Sequence, residues 1–370
     1  MLYRYFGSTG IEVSALGFGG MRFAAPKKIE EMAEVVFHAY RQGITYFDTA
    51  PYYCEDKSET IVGTAVKEMK KAGRPFYLST KCASDSPAAV RQQCERSLQR
   101  LQVDTIDFYH VWCLVDPQEF PKRKARGAID EFRKLKEEGL VRHLCVSTHL
   151  EYDQTAQMLE QADGLFAGML IGISVLNYDL RAAGIREAAR RGLAVVTMNT
   201  LAGGLLTAHP GHFRFLLGEH TPSLVDAALQ FNLSLPEVTT ALIGFRNRRD
   251  VDTAIEAMDR IRLLDQEEIG EISNKMVQHN KDFCTRCGYC RECPQGIPVV
   301  RLMDTYNVRL LADRKTSQEH LKWHWGITDL QATLNSCTAC RQCEQACTQH
   351  LPILERFEQL QQDQRRPAKR

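Results

Sequence analysis

The stretch Ile44-Thr45-Tyr46-Phe47-Asp48-Thr49-Ala50-Pro51-Tyr52-Tyr53 decides how this chain is read. Ile44 to Asp48 is a β-branched and aromatic run that ends on an acid, the composition of a short buried strand. Pro51 then turns the chain, and Tyr53 stands in the loop that leaves the strand's C-terminal end. Three later runs repeat the arrangement. Phe76-Tyr77-Leu78-Ser79-Thr80-Lys81 ends on a lysine, Thr105-Ile106-Asp107-Phe108-Tyr109-His110 on a histidine, and Leu144-Cys145-Val146-Ser147 on a serine. Four strands that each deliver a polar residue at the same end describe one mouth.

Outward from this stretch, strands and helices alternate. Leu2–Tyr5 and Glu12–Ser14 flank a Gly7–Gly10 turn and read as a hairpin ahead of Leu16–Gly20. Helical spacing of Met32, Val35, Val36 and Ala39 predicts a helix over 29–42. Further helices are expected over 57–72, 86–101, 122–138, 153–162, 181–191, 222–232 and 249–260, with Ser86-Pro87 as N-cap and first-turn proline of the third. Strands fall at 167–176, 194–198 and 239–243. Eight strand–helix units in about 245 residues have the length and order of a (β/α)8 TIM barrel, whose site lies at the C-terminal strand ends. An open doubly wound sheet would need a glycine-rich phosphate loop after its first strand, and Leu16–Gly20 lacks that fingerprint.

With 370 residues the chain has room for a large core and a further domain. The barrel is expected over 1–265, a mainly helical cysteine domain over 266–360, and a frayed tail over 361–370. The net charge of +1 gives no basis for nucleic-acid or membrane-surface binding. The longest apolar run, Leu165–Leu176, is too short to span a bilayer, and the N-terminus lacks a signal-peptide core. A soluble, cytoplasmic protein is the expectation, and there 13 cysteines point to reduced thiols or metal ligands.

Asp48, Tyr53, Lys81 and His110 form a coherent device. A phenol of pKa near 10 transfers protons poorly at neutral pH. A neighbouring lysine ammonium is expected to lower it, and an aspartate keeps that lysine charged and placed. A histidine can hydrogen-bond a carbonyl oxygen. Singly, each residue could be a rim salt bridge; together they suit proton transfer as hydride reaches a carbonyl carbon. Cys54, Cys82 and Cys113 lie near these residues in sequence. Strand alternation turns Cys82 away from the side that Lys81 faces, and packing is the role expected of all three.

Over roughly residues 1–265 the sequence resembles the aldo-keto reductases, through Phe47-Asp48-Thr49-Ala50-x-x-Tyr53, Ser79-Thr80-Lys81, Asp107-Phe108-Tyr109-His110 and Leu201-Ala202-Gly203-Gly204. The resemblance implies reversible, nicotinamide-dependent reduction of a small carbonyl, with Tyr53 as the acid. It also implies nucleotide contacts from Ser147, Thr148, Asn177, Gly203 and Gly204. Several positions depart from the family pattern. Thr148 and Ile173 stand where amide side chains hold the nicotinamide, Asn199-Thr200 replaces a Lys-Pro pair, and Thr253-Ala254 replaces the Glu-Asn pair that grips adenine. Arg246, Arg248 and Arg249 remain, suited to a 2′-phosphate. NADP(H), weakly bound, is the nucleotide these residues imply.

Cys284-x2-Cys287-x2-Cys290-x2-Cys293-Pro294 and Cys337-x2-Cys340-x2-Cys343-x3-Cys347 are the strongest signals in the chain. Three closely spaced thiolates suit one face of a cubane and a remote cysteine completes it; in two-cluster ferredoxins the fourth cysteine of each run serves the other cluster. Cys284, Cys287, Cys290 and Cys347 are then expected to hold one [4Fe–4S] cluster, and Cys293, Cys337, Cys340 and Cys343 the other. Structural zinc would favour two separated pairs of ligands. The domain resembles the C-terminal iron–sulfur extension of one aldo-keto reductase subgroup.

Two roles are consistent with this pairing of domains. In one, the barrel reduces a carbonyl while the clusters exchange electrons with a carrier protein. In the other, the barrel is a docking scaffold for an electron-transfer subunit; a third option keeps an NADPH reductase with purely structural clusters. Hydride moves two electrons together and each cluster moves one, so the first role leaves a flavin or a radical-tolerant substrate open as intermediary, although no flavin motif is visible.

Overall fold

A computed structural model describes residues 1–365. Its strands are β1 (Tyr3–Tyr5), β2 (Glu12–Ser14), β3 (Leu16–Gly19), β4 (Tyr46–Asp48), β5 (Tyr77–Cys82), β6 (Ile106–Leu114), β7 (Val141–Thr148), β8 (Gly168–Gly172), β9 (Ala194–Met198) and β10 (Val238–Gly244). β1 and β2 pair antiparallel. The other eight close a parallel barrel in the order β10-β3-β4-β5-β6-β7-β8-β9.

Alternation along each strand divides the core in two. Tyr46, Phe108, Cys145, Leu170, Val196 and Leu242 pack inside the barrel. Phe47, Leu78, Tyr109, Val146 and Met169 face the surrounding helices, and Cys82 lies with this outer set, as alternation predicts. Phe6, which follows β1, plugs the N-terminal end: its ring lies 3.9 Å from Phe108 and 5.9 Å from Tyr46. Burying such a ring contributes about 1.5–3 kcal/mol. Gly168 makes room for it, since an added Cβ would come within 2.6 Å of the Phe6 ring. With one end stoppered, chemistry is left to the other.

The helices follow the predicted spacing with local differences. The one expected over 122–138 breaks into Glu119–Ala125 and Ala128–Glu137, because Gly127 adopts φ 81°. Ser86 holds the N-cap position before Pro87 but makes no side-chain cap bond. The helix Gln266–His279, expected in the second domain, lays Ile269, Ile272 and Met276 on the barrel's outer core. The expected tail is also shorter: the last helix runs Ile353–Arg365 with Leu360 and Asp363 buried, and residues 366–370 lie outside the described ones.

The cysteine domain has its own core, including Leu302, Met303, Leu321, Leu330, Ile353 and Phe357. Its helix Arg314–Trp325 lies against the barrel's C-terminal mouth. Cys113, near the end of β6, donates its Sγ hydrogen to the Trp323 carbonyl (3.9 Å), and His149, just past β7, has its ring 4.7 Å from that of His324. Among the described residues no helix is long and apolar enough to cross a membrane.

Candidate functional site

Parallel register sets the floor of the mouth. Asp48 pairs with Ser79 across β4 and β5, and Lys81 with His110 across β5 and β6. The Lys81 ammonium donates to both Asp48 oxygens (2.6 and 2.7 Å) and to the Thr49 carbonyl (2.7 Å). All three of its protons are thereby used. Ser79 Oγ donates a further bond to Asp48 (2.8 Å). The pair is sealed, with the lysine side chain 0% and the aspartate 5% exposed. Burial pushes the Asp48 carboxyl up and the Lys81 ammonium down, and their mutual attraction opposes both shifts.

Tyr53 stands over this pair, its ring centroid 5.4 Å from Lys81 Nζ and edge-on to Trp112 at 5.7 Å. The expected lowering of its phenol by Lys81 does not occur. Burial drives the phenol well above its usual range, the Asp48 charge adds to that, and Arg22 opposes it only in part. Tyr53 is therefore held protonated, as an acid, while Lys81 spends its protons on Asp48 and Thr49. His110 is fully buried, and neither ring nitrogen makes a hydrogen bond of good geometry, although the Val146 backbone lies close enough to oppose the lowering of its imidazole. Burial, then the Lys81 charge, brings its imidazole down to about 3. It is therefore neutral at pH 7, with an N–H free for an oxygen.

The loop that carries Tyr53 is strained in a way the sequence did not signal. Tyr52, Cys54, Glu55 and Asp56 all have left-handed φ, 67°, 53°, 57° and 62°, and such residues cost about 1 kcal/mol or more each. Asp56 holds the loop: it accepts from the Tyr52 amide (3.0 Å) and pairs with Arg96 (2.9 Å) and Arg100 (2.6 Å). The Arg100 hydrogen bond leads in bringing its carboxyl down to about 2.

The rim is different. Ser147 is buried on the inward row of β7. Thr148 uses its hydroxyl on nearby backbone, donating to the Leu114 carbonyl at the end of β6 and accepting from the Leu150 amide of its own loop, both at 3.0 Å. Asn177 accepts from the Ser174 amide (2.8 Å) and donates to the Gly172 carbonyl (3.2 Å), so its amide ties down the loop after β8. Gly203 and Gly204 sit in a short turn at φ 71° and 100°. Arg246 pairs with Asp250 (3.1 Å) and Arg248 with Glu34 (3.0 Å), each arginine more than half exposed. Arg249 is exposed beside them, at the start of the helix Arg248–Asp259. The nicotinamide contacts are thus a poor fit, while the arginines and the helix N-terminus suit a phosphate.

The eight cysteines of the two runs border two hollows. Cys284, Cys287, Cys290 and Cys347 line one. Cys290, Cys293, Cys337, Cys340 and Cys343 line the other. The two loops share a backbone: Arg286 and Ala339 precede the second cysteine of each run, Gly288 and Arg341 follow it, and all four have left-handed φ (58°, 53°, 85° and 60°). Such turns wind three thiols around one centre. Among the described residues no three Cys, His, Asp or Glu side chains converge on a single-ion site. Thiols spread around a hollow fit a polynuclear cluster. Burial raises the Cys284 thiol to about 11 and that of Cys290 to about 12, so a cationic metal core is what would make them thiolates.

The sequence profile of the aldo/keto reductase family matches residues 15–276. The chain belongs to this family. Residues 280–351 match the 4Fe-4S dicluster domain. L-galactose dehydrogenase of Arabidopsis thaliana is 27% identical over 301 residues, 73% of this chain and 92% of the relative. NADP-dependent D-sorbitol-6-phosphate dehydrogenase of Malus domestica is 25% identical over 308 residues, covering 81% and 87%. An aldo-keto reductase from Bacillus halodurans in its holo form superposes with a TM-score of 0.62 at 24% identity, over 74% of this chain and 96% of that one; the likeness is one of fold. This protein is therefore an aldo-keto reductase-type oxidoreductase with a dicluster domain at its C-terminal end.

In this aldo-keto reductase barrel the structure adds residues that the sequence reading passed over. Arg22 follows the loop after β3, lies against Gly244 and adds positive charge near Tyr53. Trp112 flanks both Tyr52 and Tyr53. Between the barrel and the dicluster domain lie His149, Arg181, His320, His324 and Trp325. None of these has a motif; only their burial, full for His149, Arg181 and Trp325 and partial for His320 and His324, marks them.

Proposed function

We propose that this protein interconverts a carbonyl and an alcohol at the barrel mouth, with Tyr53 as proton donor to the developing alkoxide. The observation that supports this most is the sealed Asp48–Lys81 pair beneath a protonated Tyr53, beside a His110 whose nitrogens have no protein partner. In this reading His110 orients the carbonyl oxygen and the ion pair fixes the floor on which Tyr53 rests. Arg246, Arg248 and Arg249 hold NADP(H) through its phosphate, and the nucleotide supplies hydride when bound. Cys284, Cys287, Cys290 and Cys347 hold one [4Fe–4S] cluster, and Cys293, Cys337, Cys340 and Cys343 the other. The clusters supply one-electron steps, exchanged with a carrier protein.

Tyr53→Phe keeps the ring and removes only the hydroxyl. Turnover of carbonyl substrates by the anaerobically purified protein should fall about 10²–10⁴-fold, with nucleotide affinity little changed. Near-normal turnover would sink the assignment and favour the barrel as a docking scaffold. For the dicluster domain, Cys347→Ser should halve the iron from about eight per chain and spare the cluster of the second run. Loss of the second-run cluster instead would show that the fourth cysteines are not exchanged.

A further inference from the structure

The buried contact between barrel and dicluster domain contains a guanidinium without a direct ion pair, although the charges of Asp304 and Glu151 reach it. Arg181, on the helix Tyr178–Arg190, is 1% exposed, and its Nε and Nη1 have no hydrogen-bond partner. It makes no ion pair among the described residues; its plane lies over the Trp325 ring at 5.4 Å. The other arginines here are matched. Arg286 pairs with Asp304, with Asp179 also near it, and Arg301 pairs with Glu151 at 2.7 Å.

The direction of Arg181 is fixed by Gly172. Gly168, Leu170 and Gly172 alternate along β8, and Gly168 meets the inner Phe6 while Leu170 belongs to the inner cluster. Gly172 therefore also faces inward, at the mouth end. A Cβ there would lie 3.8 Å from Arg181 Nη1 and 3.4 Å from Asn199 Nδ2. The glycine leaves a niche with two nitrogen donors beside it. His149, 8% exposed and with Nδ1 unpartnered, adds a third polar group near Arg181.

We infer that Arg181, with Asn199 and His149, binds the carboxylate of the substrate, which makes the substrate class oxo acids and their hydroxy-acid counterparts. This rests on the carbonyl–alcohol reading above and narrows it. A guanidinium fork matches a carboxylate in shape and charge. Burial lowers the His149, His320 and His324 imidazoles, which keeps them neutral. Asp304 and Glu151, whose charges also reach Arg181, are matched by Arg286 and Arg301, which leaves Arg181 as the positive charge of the niche. A phosphate monoester, at about −1.5 to −2, would be left under-compensated. Trp325 lies over Arg181 and His324 lies against His149, so the dicluster domain packs directly on two of the three groups.

The test is calorimetry on the anaerobically purified, cluster-loaded protein. The probes are pyruvate, 4-oxopentanoate and 5-oxohexanoate, each against the neutral ketone with methyl in place of the carboxylate. At least one acid should bind about ten- to hundredfold more tightly than its ketone, the range for a charged hydrogen bond. Arg181→Gln should abolish that preference at unchanged iron content. Should that variant not fold, Arg181→Lys and Asn199→Ala are read instead, and each should reduce the preference. An absence of preference in the wild type, a preference that survives the variants, or tighter binding of inorganic phosphate than of every acid would overturn the inference. Tyr53→Phe separates the two claims, because it should keep the acid preference while losing turnover.

Discussion

Asp48 closes β4 and Thr148 closes β7, yet their polar groups end in opposite situations. Asp48, Lys81 and His110 lie on the inward row, where a single loop carbonyl, that of Thr49, reaches them, so the floor of the mouth is a closed ion pair beside an unpartnered imidazole. Thr148 and Asn177 sit at the rim and are consumed by nearby backbone carbonyls and amides. A side chain's type therefore says less about its role than the number of backbone groups that reach it first.

The comparison can be broken most directly at the floor. Lys81→Met strands the Asp48 carboxylate in a buried site, and about 3–5 kcal/mol of stability should be lost in urea unfolding. Adding Asp48→Leu should restore most of it. A loss below about 1 kcal/mol would mean that water reaches the pair.

Acid provides a milder probe of the same floor. His110 titrates at about 3 when folded, against an ordinary value near 6.5. Between those values the unfolded chain binds a proton that the folded chain refuses. Its contribution to stability is thus complete above pH 6.5 and is lost progressively as pH falls towards 3. Urea midpoints from pH 7 to 4.5 should fall less steeply for His110→Gln than for the wild type; parallel curves would contradict the burial argument.

Effects at the rim should be smallest. Arg246→Ala and Arg248→Ala should each weaken NADPH binding a few-fold, with the difference shrinking as salt is added. Thr148→Ala should leave nucleotide affinity unchanged and cost about 1 kcal/mol of stability, because its hydroxyl serves two backbone groups. A tenfold loss of NADPH affinity in Thr148→Ala would place that hydroxyl on the ligand side and dissolve the contrast.

Much of this was legible in the chain. Short apolar runs rich in β-branched and aromatic residues marked β4 to β7, and a polar residue at the end of each run predicted a single mouth. The cysteine spacings indicated two thiol groups before any coordinates. Readings that depended on a distant neighbour fared less well. The expected lowering of the Tyr53 phenol by Lys81 failed because burial, and then the Asp48 charge, raises it instead. The tail expected over 361–370 proved helical to Arg365, since Asp363 finds Arg309 54 residues away.

What the sequence by itself determined was local and periodic: which residues alternate inward, where strands end, and how thiols are spaced on a tight loop. These follow from backbone geometry, which the chain carries with it. What only the tertiary structure decided was which polar groups remain free once the chain has closed on itself. Arg181 could not be told from any surface arginine in the sequence. It became a buried, unpaired cation only because Trp325, 144 residues later by the numbering, covers it from the dicluster domain. Desolvation is a property of everything packed around a group, and no window of sequence contains that.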